Sequence, residues 1–348
     1  MTLPNRNRQI VLAARPEGMP KESDFAVKDS PIPEPGPGEL LVRAHYLSAD
    51  PFQRMRFEAQ ANYGKVLQLG EVIRGRMVGE VVRSNNPGYK VGEFVEGMLN
   101  WQEYAISDGS TARAEYAPGI AKVDPAIAPI QYSLGVLGFP GVTAYFALFD
   151  CCEPKPGETV VVSSAAGAVG SLAGQLAKIQ GCRVVGLAST KEKTDWITRD
   201  LGFDAAINYT KYDSSEALLG AIRAACPERI NVFFDNTGGW IADGILPHLA
   251  KNARVVVVGN IVQNNRAVKE KRLDPNSYIM VNRATMRGFI VYDYEHRADE
   301  ARHAIARWIK SGHIKVRETV AHGIENTPKA FISMLNGGNI GKQLIKLV

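Results

Sequence analysis

Cysteine and histidine are scarce in this sequence, and neither is spaced as a metal site or a disulfide framework requires. The six histidines form no H-x-x-x-H pair. No C-x-x-C pair occurs among the four cysteines, which are Cys151, Cys152, Cys182 and Cys226. This pattern supports neither a disulfide framework nor a structural zinc site, and it argues against a catalytic zinc. We therefore expect a site without metal.

Long apolar runs and blocks of one charge sign are also missing. No apolar stretch reaches the 18 residues of a membrane span, and arginines break up the short apolar run near the start, so no signal peptide is predicted. The 41 basic residues are interspersed with 36 acidic ones, for a net charge of +5. We expect a cytoplasmic protein with no membrane or nucleic-acid partner, and the basic bias suits a phosphate-bearing small ligand.

The length of the chain favours two domains. At 348 residues, 45% of them hydrophobic, it exceeds one average domain and can bury ample core. Up to about residue 125, short strands alternate with proline- and glycine-rich turns, which predicts an all-β lobe. The residue pattern changes at Ser133, where an apolar run typical of a helix begins.

One stretch, residues 159–178, indicates strand, tight turn and helix in direct succession. Its turn carries Ala165-x-Gly167-x-x-Gly170, the spacing of a dinucleotide-binding fingerprint with alanine in place of the first glycine. Gly167 would let the backbone approach a pyrophosphate, and Gly170 would let helix and strand pack closely. These residues alone are equally compatible with an ordinary turn of small residues. The sequence after the turn decides between a dinucleotide-binding turn and an ordinary one.

Strands and helices alternate after this turn, which predicts a parallel, doubly wound sheet of the Rossmann type. The predicted strands are residues 181–188, 204–208, 231–235, 254–259 and 286–291, and the predicted helices between them are 191–201, 215–225 and 240–249. A final apolar strand, 343–348, is expected to return to the β lobe.

Five motifs occur in an order that resembles a known family. They are YLSADPFQR at 46–54, LGVLGFPGVTAY at 134–145, AAGAVG at 165–170, FDNTGG at 234–239 and GGNIGK at 337–342. Together the motifs resemble the zinc-independent medium-chain reductases that include prostaglandin/leukotriene, plant alkenal double-bond and bacterial curcumin reductases. The resemblance implies a GroES-like β-barrel lobe (1–128, completed by 300–348), a Rossmann NADP-binding domain (129–299), NADP(H) as cofactor and a homodimer.

The resemblance also implies cofactor contacts. They are Gly167, Ala168, Val169 and Gly170 for the phosphates, Lys193 for the 2′-phosphate, Tyr209, Asn236, Gly259 and Asn339 around the cofactor, and Thr143, Phe289, Ile290 and Val291 beside the nicotinamide. Simpler interpretations stay open: Lys193 as a solvated lysine, Tyr209 as packing, Asn236 as a turn former and Thr143 as a helix-bonded threonine. Residues 187–191 hold no carboxylate of the kind that binds the NAD ribose, so NADPH is preferred.

The implied activity is reduction of the carbon–carbon double bond of α,β-unsaturated ketones and aldehydes, with hydride added to the β-carbon, an enolate intermediate and protonation at the α-carbon. Two departures leave the proton donor open, because Val281 and Asn264 stand where the family often carries tyrosine. Tyr63 is the first candidate donor and Tyr278 the second. An NADPH:quinone oxidoreductase and a weakly catalytic NADP-binding scaffold are the alternative functions.

Overall fold

The computed structural model describes residues 4–58, 66–111, 119–265 and 272–348. The chain forms two compact units, one of residues 1–135, 318–339 and 343–348, the other of residues 136–317 and 340–342. The expected divisions lay at residues 128 and 299, whereas these units change over after Gly135 and after Arg317.

The strands, in chain order, are β1 (Asn7–Leu12), β2 (Phe25–Ser30), β3 (Leu40–Ser48), β4 (Met77–Ser84), β5 (Phe94–Gly97), β6 (Tyr104–Ser107), β7 (Ile120–Val123), β8 (Thr159–Val162), β9 (Arg183–Ala188), β10 (Ala205–Asn208), β11 (Ile230–Asp235), β12 (Leu249–Val257), β13 (Thr285–Gly288), β14 (Glu318–His322) and β15 (Lys342–Lys346). The helices are α1 (Phe52–Met55), α2 (Phe139–Cys152), α3 (Ala168–Ile179), α4 (Lys191–Arg199), α5 (Ser215–Ala225), α6 (Gly239–Ile245), α7 (Ile261–Asn264), α8 (Asn276–Asn282), α9 (Ala298–Lys310) and α10 (Thr327–Leu335).

The first unit is built on an antiparallel sheet, which confirms the predicted all-β lobe. Its strands run in the order β14-β15-β3-β4-β5-β7, with β6 also paired to β3. The final strand returns to this sheet as predicted, since Leu344 of β15 pairs with Ser48 of β3. Aromatic rings fill its core, where Trp101 and Phe57 pack edge-on against Phe331 with centroids 5.5 and 5.8 Å away.

The motif at 46–54 holds this unit together through buried hydrogen bonds. The Trp101 indole N–H donates to the carbonyl of Ser48 at 2.9 Å. The Gln53 side chain accepts from the Asp50 N–H at 2.9 Å and donates to the carbonyl of Arg74 at 2.8 Å. Because Ser48 and Gln53 are fully buried, unpaired polar groups there would be costly. The motif at 46–54, one of the five that carry the family resemblance, therefore stabilises the fold of the first unit.

The second unit confirms the predicted parallel sheet, which runs in the order β10-β9-β8-β11-β12-β13. Alternate side chains of β8 enter two different cores. Val160 and Val162 pack with residues of α2 and α3, whereas Val161 packs with residues of α5 and α6. Both faces of the central strands are thus covered, which is why they lack the polar alternation of a half-exposed strand.

Three predicted boundaries in this unit are wrong. The strand expected at 254–259 begins earlier, because β12 spans Leu249–Val257. The strand expected at 286–291 is β13, Thr285–Gly288, and all of its residues are exposed because β13 lies at one edge of the described sheet. The helix expected at 240–249 ends at Ile245, and a short turn, Leu246–His248, leads into β12. Pro247 supplies no N–H to continue the helix.

Candidate functional site

The turn between β8 and α3 has a geometry that suits a phosphate group. Ser164 takes a left-handed conformation with φ of 49°, and Gly167 stands at the N-cap of α3. Since Gly167 has no side chain with which to cap the helix, the first N–H groups of α3 need another acceptor. The positive end of the helix dipole favours an anion in that role.

Close backbone contacts shape both sides of this turn. A Cβ on Gly170 would lie 2.3 Å from the carbonyl oxygen of Ser164, so α3 could not pack this closely with any other residue there. On the other side, the N–H of Gly341 donates to the carbonyl of Ala166 at 2.8 Å. Gly341 has φ of 68°, a left-handed conformation that glycine adopts without strain.

Sequence reasoning missed two further glycines that support the turn from behind. A Cβ on Gly186 of β9 would lie 2.8 Å from the Cβ of Ala165, and a Cβ on Gly174 of α3 would lie 1.8 Å from the Phe203 ring. A glycine inside an apolar strand or helix is the signal that could have found them, because it often marks close approach of another group.

Lys193 lies in the first turn of α4, at the carboxyl end of β9. The Thr190 hydroxyl caps this helix by accepting from the Lys193 N–H at 3.2 Å. Lys193 is only 8% exposed, so the interpretation as a solvated lysine is wrong. Burial lowers the pKa of its ammonium group, against a smaller opposing effect of Glu192. An anion bound beside this ammonium group would favour its charged form.

Tyr209 follows β10, the strand next to β9, and lies at the same carboxyl end of the parallel sheet. Asn208 of β10 is in register with Ala188 of β9, which places the residues that follow side by side. Burial raises the pKa of the Tyr209 phenol, and a hydrogen bond with Ser189 partly opposes this. The carboxyl ends of β9 and β10 therefore offer the hydroxyl groups of Ser189 and Tyr209 and the ammonium group of Lys193, whereas NAD sites carry a carboxylate at this place.

Asn236 and Gly259 lie where β11 and β12 end. The Asn236 side-chain amide donates to the carbonyl of Ser163 at 2.8 Å, which ties β11 to the end of β8. A Cβ on Gly259 would lie 2.4 Å from the carbonyl of Asn236. Asp235 is buried, which raises the pKa of its carboxyl group, although hydrogen bonds from Gly238, Thr237 and Ser163 oppose the shift. Ligands of open parallel sheets bind beyond such strand ends.

Phe289, Ile290 and Val291 follow β13, and aromatic stacking fixes the first of them. The Tyr294 ring stacks on Phe289 with centroids 5.0 Å apart and on Phe146 of α2 at 4.9 Å. Phe289 is buried, Ile290 is 38% exposed, and Val291 is half-buried. Thr143, one turn before Phe146 on α2, is buried as well.

Of the two catalytic candidates, only Tyr278 lies among the described residues. Tyr63 lies in 59–65, outside the described residues. Tyr278 is half-buried on α8, three residues before Val281, which is 63% exposed.

Asn339 is buried in the first unit. The Tyr294 hydroxyl accepts from Arg287 at 3.2 Å and lies 3.7 Å from the Cys151 sulfur.

The described residues contain neither a candidate metal cluster nor a candidate membrane span. Residues 4–58, 66–111, 119–265 and 272–348 contain no group of three or more histidine, cysteine or acidic side chains that could hold a metal ion. Of the helices described, none has both the length and the apolar character to cross a bilayer.

Comparison with known proteins gives matches along nearly the whole chain. Residues 8–114 match a family described as the N-terminal domain of oxidoreductase, and residues 168–308 match one described as zinc-binding dehydrogenase. A putative NADP-dependent oxidoreductase, YfmJ of Bacillus subtilis, is 42% identical over 98% of this chain and 97% of its own. NADPH-dependent curcumin reductase of Escherichia coli is 38% identical over 98% and 97%, respectively.

A plant relative and a solved structure agree with these matches. The NADP⁺-dependent 2-alkenal reductase of Nicotiana tabacum is 36% identical over 97% of both chains. The crystal structure of CurA from Vibrio vulnificus in complex with NADPH superposes with a TM-score of 0.90 at 38% identity, and covers 98% of this chain and 99% of that one.

Proposed function

Because this chain belongs to the medium-chain dehydrogenase/reductase family, we propose that it is an NADPH-dependent reductase of the carbon–carbon double bond in α,β-unsaturated ketones and aldehydes. Curcumin and 2-alkenals, for which two relatives are named, both carry a double bond conjugated to a carbonyl. The observation that carries the cofactor assignment is the buried Lys193 in the first turn of α4, which follows a strand end, residues 187–191, that has no carboxylate.

The residues of the second unit would hold NADPH, which supplies the hydride when it is bound. The N–H groups at the start of α3 bind the diphosphate, and Gly170 keeps that helix close to the turn. Lys193 binds the 2′-phosphate, with Tyr209 next to it. Asn236, Gly259, Thr143 and the segment Phe289, Ile290 and Val291 would line the cofactor, and Asn339 is a further proposed cofactor contact.

The remaining task of the protein is to stabilise the oxygen of the substrate. Reduction at the β-carbon leaves an enolate, whose negative charge develops only in the transition state. A phenol that donates a hydrogen bond to this oxygen lowers the barrier selectively. We assign this role to Tyr63 first and to Tyr278 second, and the α-carbon is then protonated from the same donor or from water.

We also propose a homodimer that forms along β13. All residues of this edge strand are exposed. Exposed apolar side chains lie on β13 itself, where Met286 is 41% exposed, and on the preceding helix α8, where Val281 is 63% and Met280 72% exposed. An exposed edge strand is a template for pairing with a second chain. Sedimentation should give a dimer that Met286→Lys weakens. Val91→Lys is the matched control, because Val91 is 65% exposed in the other unit.

A cytoplasmic location goes with this function. The four cysteines are free thiols, which a reducing compartment maintains. Fractionation of the cells that produce the protein tests the assignment directly.

Steady-state oxidation of NADPH tests the proposed activity. The purified protein should oxidise NADPH with an enone or 2-alkenal, and the product should be the saturated carbonyl compound. Turnover with a quinone alone would replace the proposal by a quinone oxidoreductase. Tight NADPH binding without turnover of either acceptor would indicate a binding scaffold.

A further inference from the structure

Arg317 has a backbone position that is fixed against the phosphate turn. Its carbonyl oxygen accepts from the Lys342 N–H at 3.1 Å, and a Cβ on Gly341 would lie 1.8 Å from the same oxygen. Gly341 in turn donates to Ala166 inside the turn. The backbone of Arg317 is therefore held in place independently of what its side chain does.

The side chain of Arg317 reaches the first turn of α4. Its Nη2 lies 2.9 Å from the Glu192 carboxylate, and its guanidinium lies 5.8 Å from the centre of the Trp196 ring. Trp196 is 8% exposed, so it is a fixed surface for the planar guanidinium group, which stacks on aromatic rings more readily than an ammonium group does.

Glu192 is the immediate neighbour of Lys193, and its charge has the wrong sign for the proposed ligand. A phosphate monoester carries a charge of about −1.5 to −2 at neutral pH, so a bare carboxylate beside Lys193 would repel it. Arg317 pairs with that carboxylate. We propose that Arg317 is a positioning residue for cofactor specificity, which holds and neutralises Glu192 so that Lys193 can bind the 2′-phosphate. This inference rests on the proposed use of NADPH.

The test measures binding of NADPH and of NADH, each titrated by fluorescence without substrate. We expect Arg317→Gln to weaken NADPH binding about threefold to tenfold and to leave NADH within about twofold, because the loss concerns an ion pair that is partly exposed. The side chains of Arg317 and Glu192 are 43% and 68% exposed. Added salt should therefore shrink the difference between variant and parent.

Three further variants separate this role from simple packing. Arg317→Lys keeps the charge and should keep the preference for NADPH. Glu192→Gln, combined with Arg317→Gln, should restore NADPH binding to within about twofold of the parent, since no repelling charge is left. Arg6→Gln is the matched control, because Arg6 forms an exposed ion pair with Asp29 in the other unit; it should change neither affinity.

Several outcomes would overturn the inference. Equal losses for NADPH and NADH in Arg317→Gln would mean that Arg317 only supports the fold. An unchanged NADPH affinity in Arg317→Gln would refute the inference. So would a double variant, Arg317→Gln with Glu192→Gln, that binds NADPH as weakly as Arg317→Gln alone. If the parent itself does not prefer NADPH and Lys193→Ala changes nothing, then the proposed cofactor is wrong. A parent that prefers NADPH, together with an unaffected Arg317→Gln, refutes Arg317 alone.

Discussion

The carbonyl oxygen of Ser164 lies 2.3 Å from the position that a Cβ on Gly170 would occupy. Ser164 already has a left-handed backbone, with φ of 49°, a conformation that costs free energy in a residue other than glycine. The turn cannot relieve a clash by moving this carbonyl without further strain. The position of α3, and with it the direction of its first N–H groups, thus depends on the missing side chain at residue 170.

Replacing Gly170 by alanine should damage both stability and cofactor binding. We expect the free energy of unfolding to fall by about 1–3 kcal/mol, as for other overpacked sites, and NADPH to bind more weakly. Gly220→Ala on α5 is the control, because a Cβ there meets nothing within 4 Å and alanine favours a helix by about 1 kcal/mol. Denaturant unfolding and NADPH titration measure the two effects. Parental values for Gly170→Ala would contradict the packing argument.

Lys193→Ala should reduce the preference for NADPH over NADH. A charge-assisted hydrogen bond contributes about 1.5–3 kcal/mol, which corresponds to about a tenfold to hundredfold change in the ratio of kcat/KM values. Lys191→Ala is the matched control, since the Lys191 side chain is 79% exposed two residues earlier on α4. An unchanged ratio in Lys193→Ala would show that another group reads the 2′-phosphate.

The pH dependence gives an independent check on the same lysine. Burial lowers the pKa of Lys193, so in the free protein it loses its proton at a lower pH than an exposed lysine does. NADPH binding should therefore weaken relative to NADH as the pH rises through that lowered pKa. If both affinities decline together, then Lys193 does not cause the decline.

The sequence predicted the order of elements around the site because strand, turn and helix differ in local pattern. Gly167 and Gly170 were found because their spacing belongs to a local motif. Lys193 could be placed at a strand end, but its burial could not be foreseen from a polar helix start. The contact between Arg317 and Glu192 joins residues 125 positions apart, and no local pattern encodes it. The exposure of β13 depends on its place in the sheet order, which an apolar run does not reveal.

Glu158 should contribute to stability at neutral pH and lose that contribution in acid. Burial alone would raise the pKa of its carboxyl group, but hydrogen bonds from Arg254 and from the Lys155 N–H outweigh it and lower the pKa. The contribution is complete above the unfolded-state pKa of about 4.3 and is lost as the pH falls through the lower folded-state pKa. Arg254 holds both carboxylate oxygens, at 2.6 and 2.9 Å.

Glu158→Gln should therefore reduce the free energy of unfolding by about 1–2 kcal/mol near pH 7, and the difference from the parent should narrow below about pH 4. Glu34→Gln is the control, because Glu34 pairs with Arg83 at side-chain exposures of 73% and 43%. Thermal unfolding across a pH series measures both variants. A difference that is the same at pH 3 and pH 7 would exclude the ion pair as its source.

Activity should not depend on a metal ion. The substrate oxygen needs stabilisation in any case, and we assign this to hydrogen-bond donors. Prolonged treatment with a chelator should leave turnover unchanged, and elemental analysis of active protein should find no stoichiometric metal. One zinc per chain in the active protein, lost together with turnover, would refute this prediction.

The proton donor is the last assignment to test, and it concerns two tyrosines. Val281 stands at the position where the zinc-independent medium-chain reductases often carry a tyrosine. The phenol that donates to the enolate oxygen must therefore come from another residue. Tyr63→Phe removes only the hydroxyl and leaves the ring in place. If this hydroxyl donates to the enolate oxygen, turnover with saturating NADPH should fall about tenfold or more, while NADPH binding stays unchanged.

Tyr278→Phe is the matched variant, because it makes the same change on α8 in the second unit. A loss confined to Tyr63→Phe assigns the donor to the β lobe, and a loss confined to Tyr278→Phe assigns it to the helix that carries Val281. A donor acts on charge that develops in the transition state, so its removal should lower kcat and kcat/KM together. An increase in KM alone would mean that the hydroxyl only binds substrate. If both variants turn over within about twofold of the parent, then water supplies the proton, and both catalytic assignments are wrong.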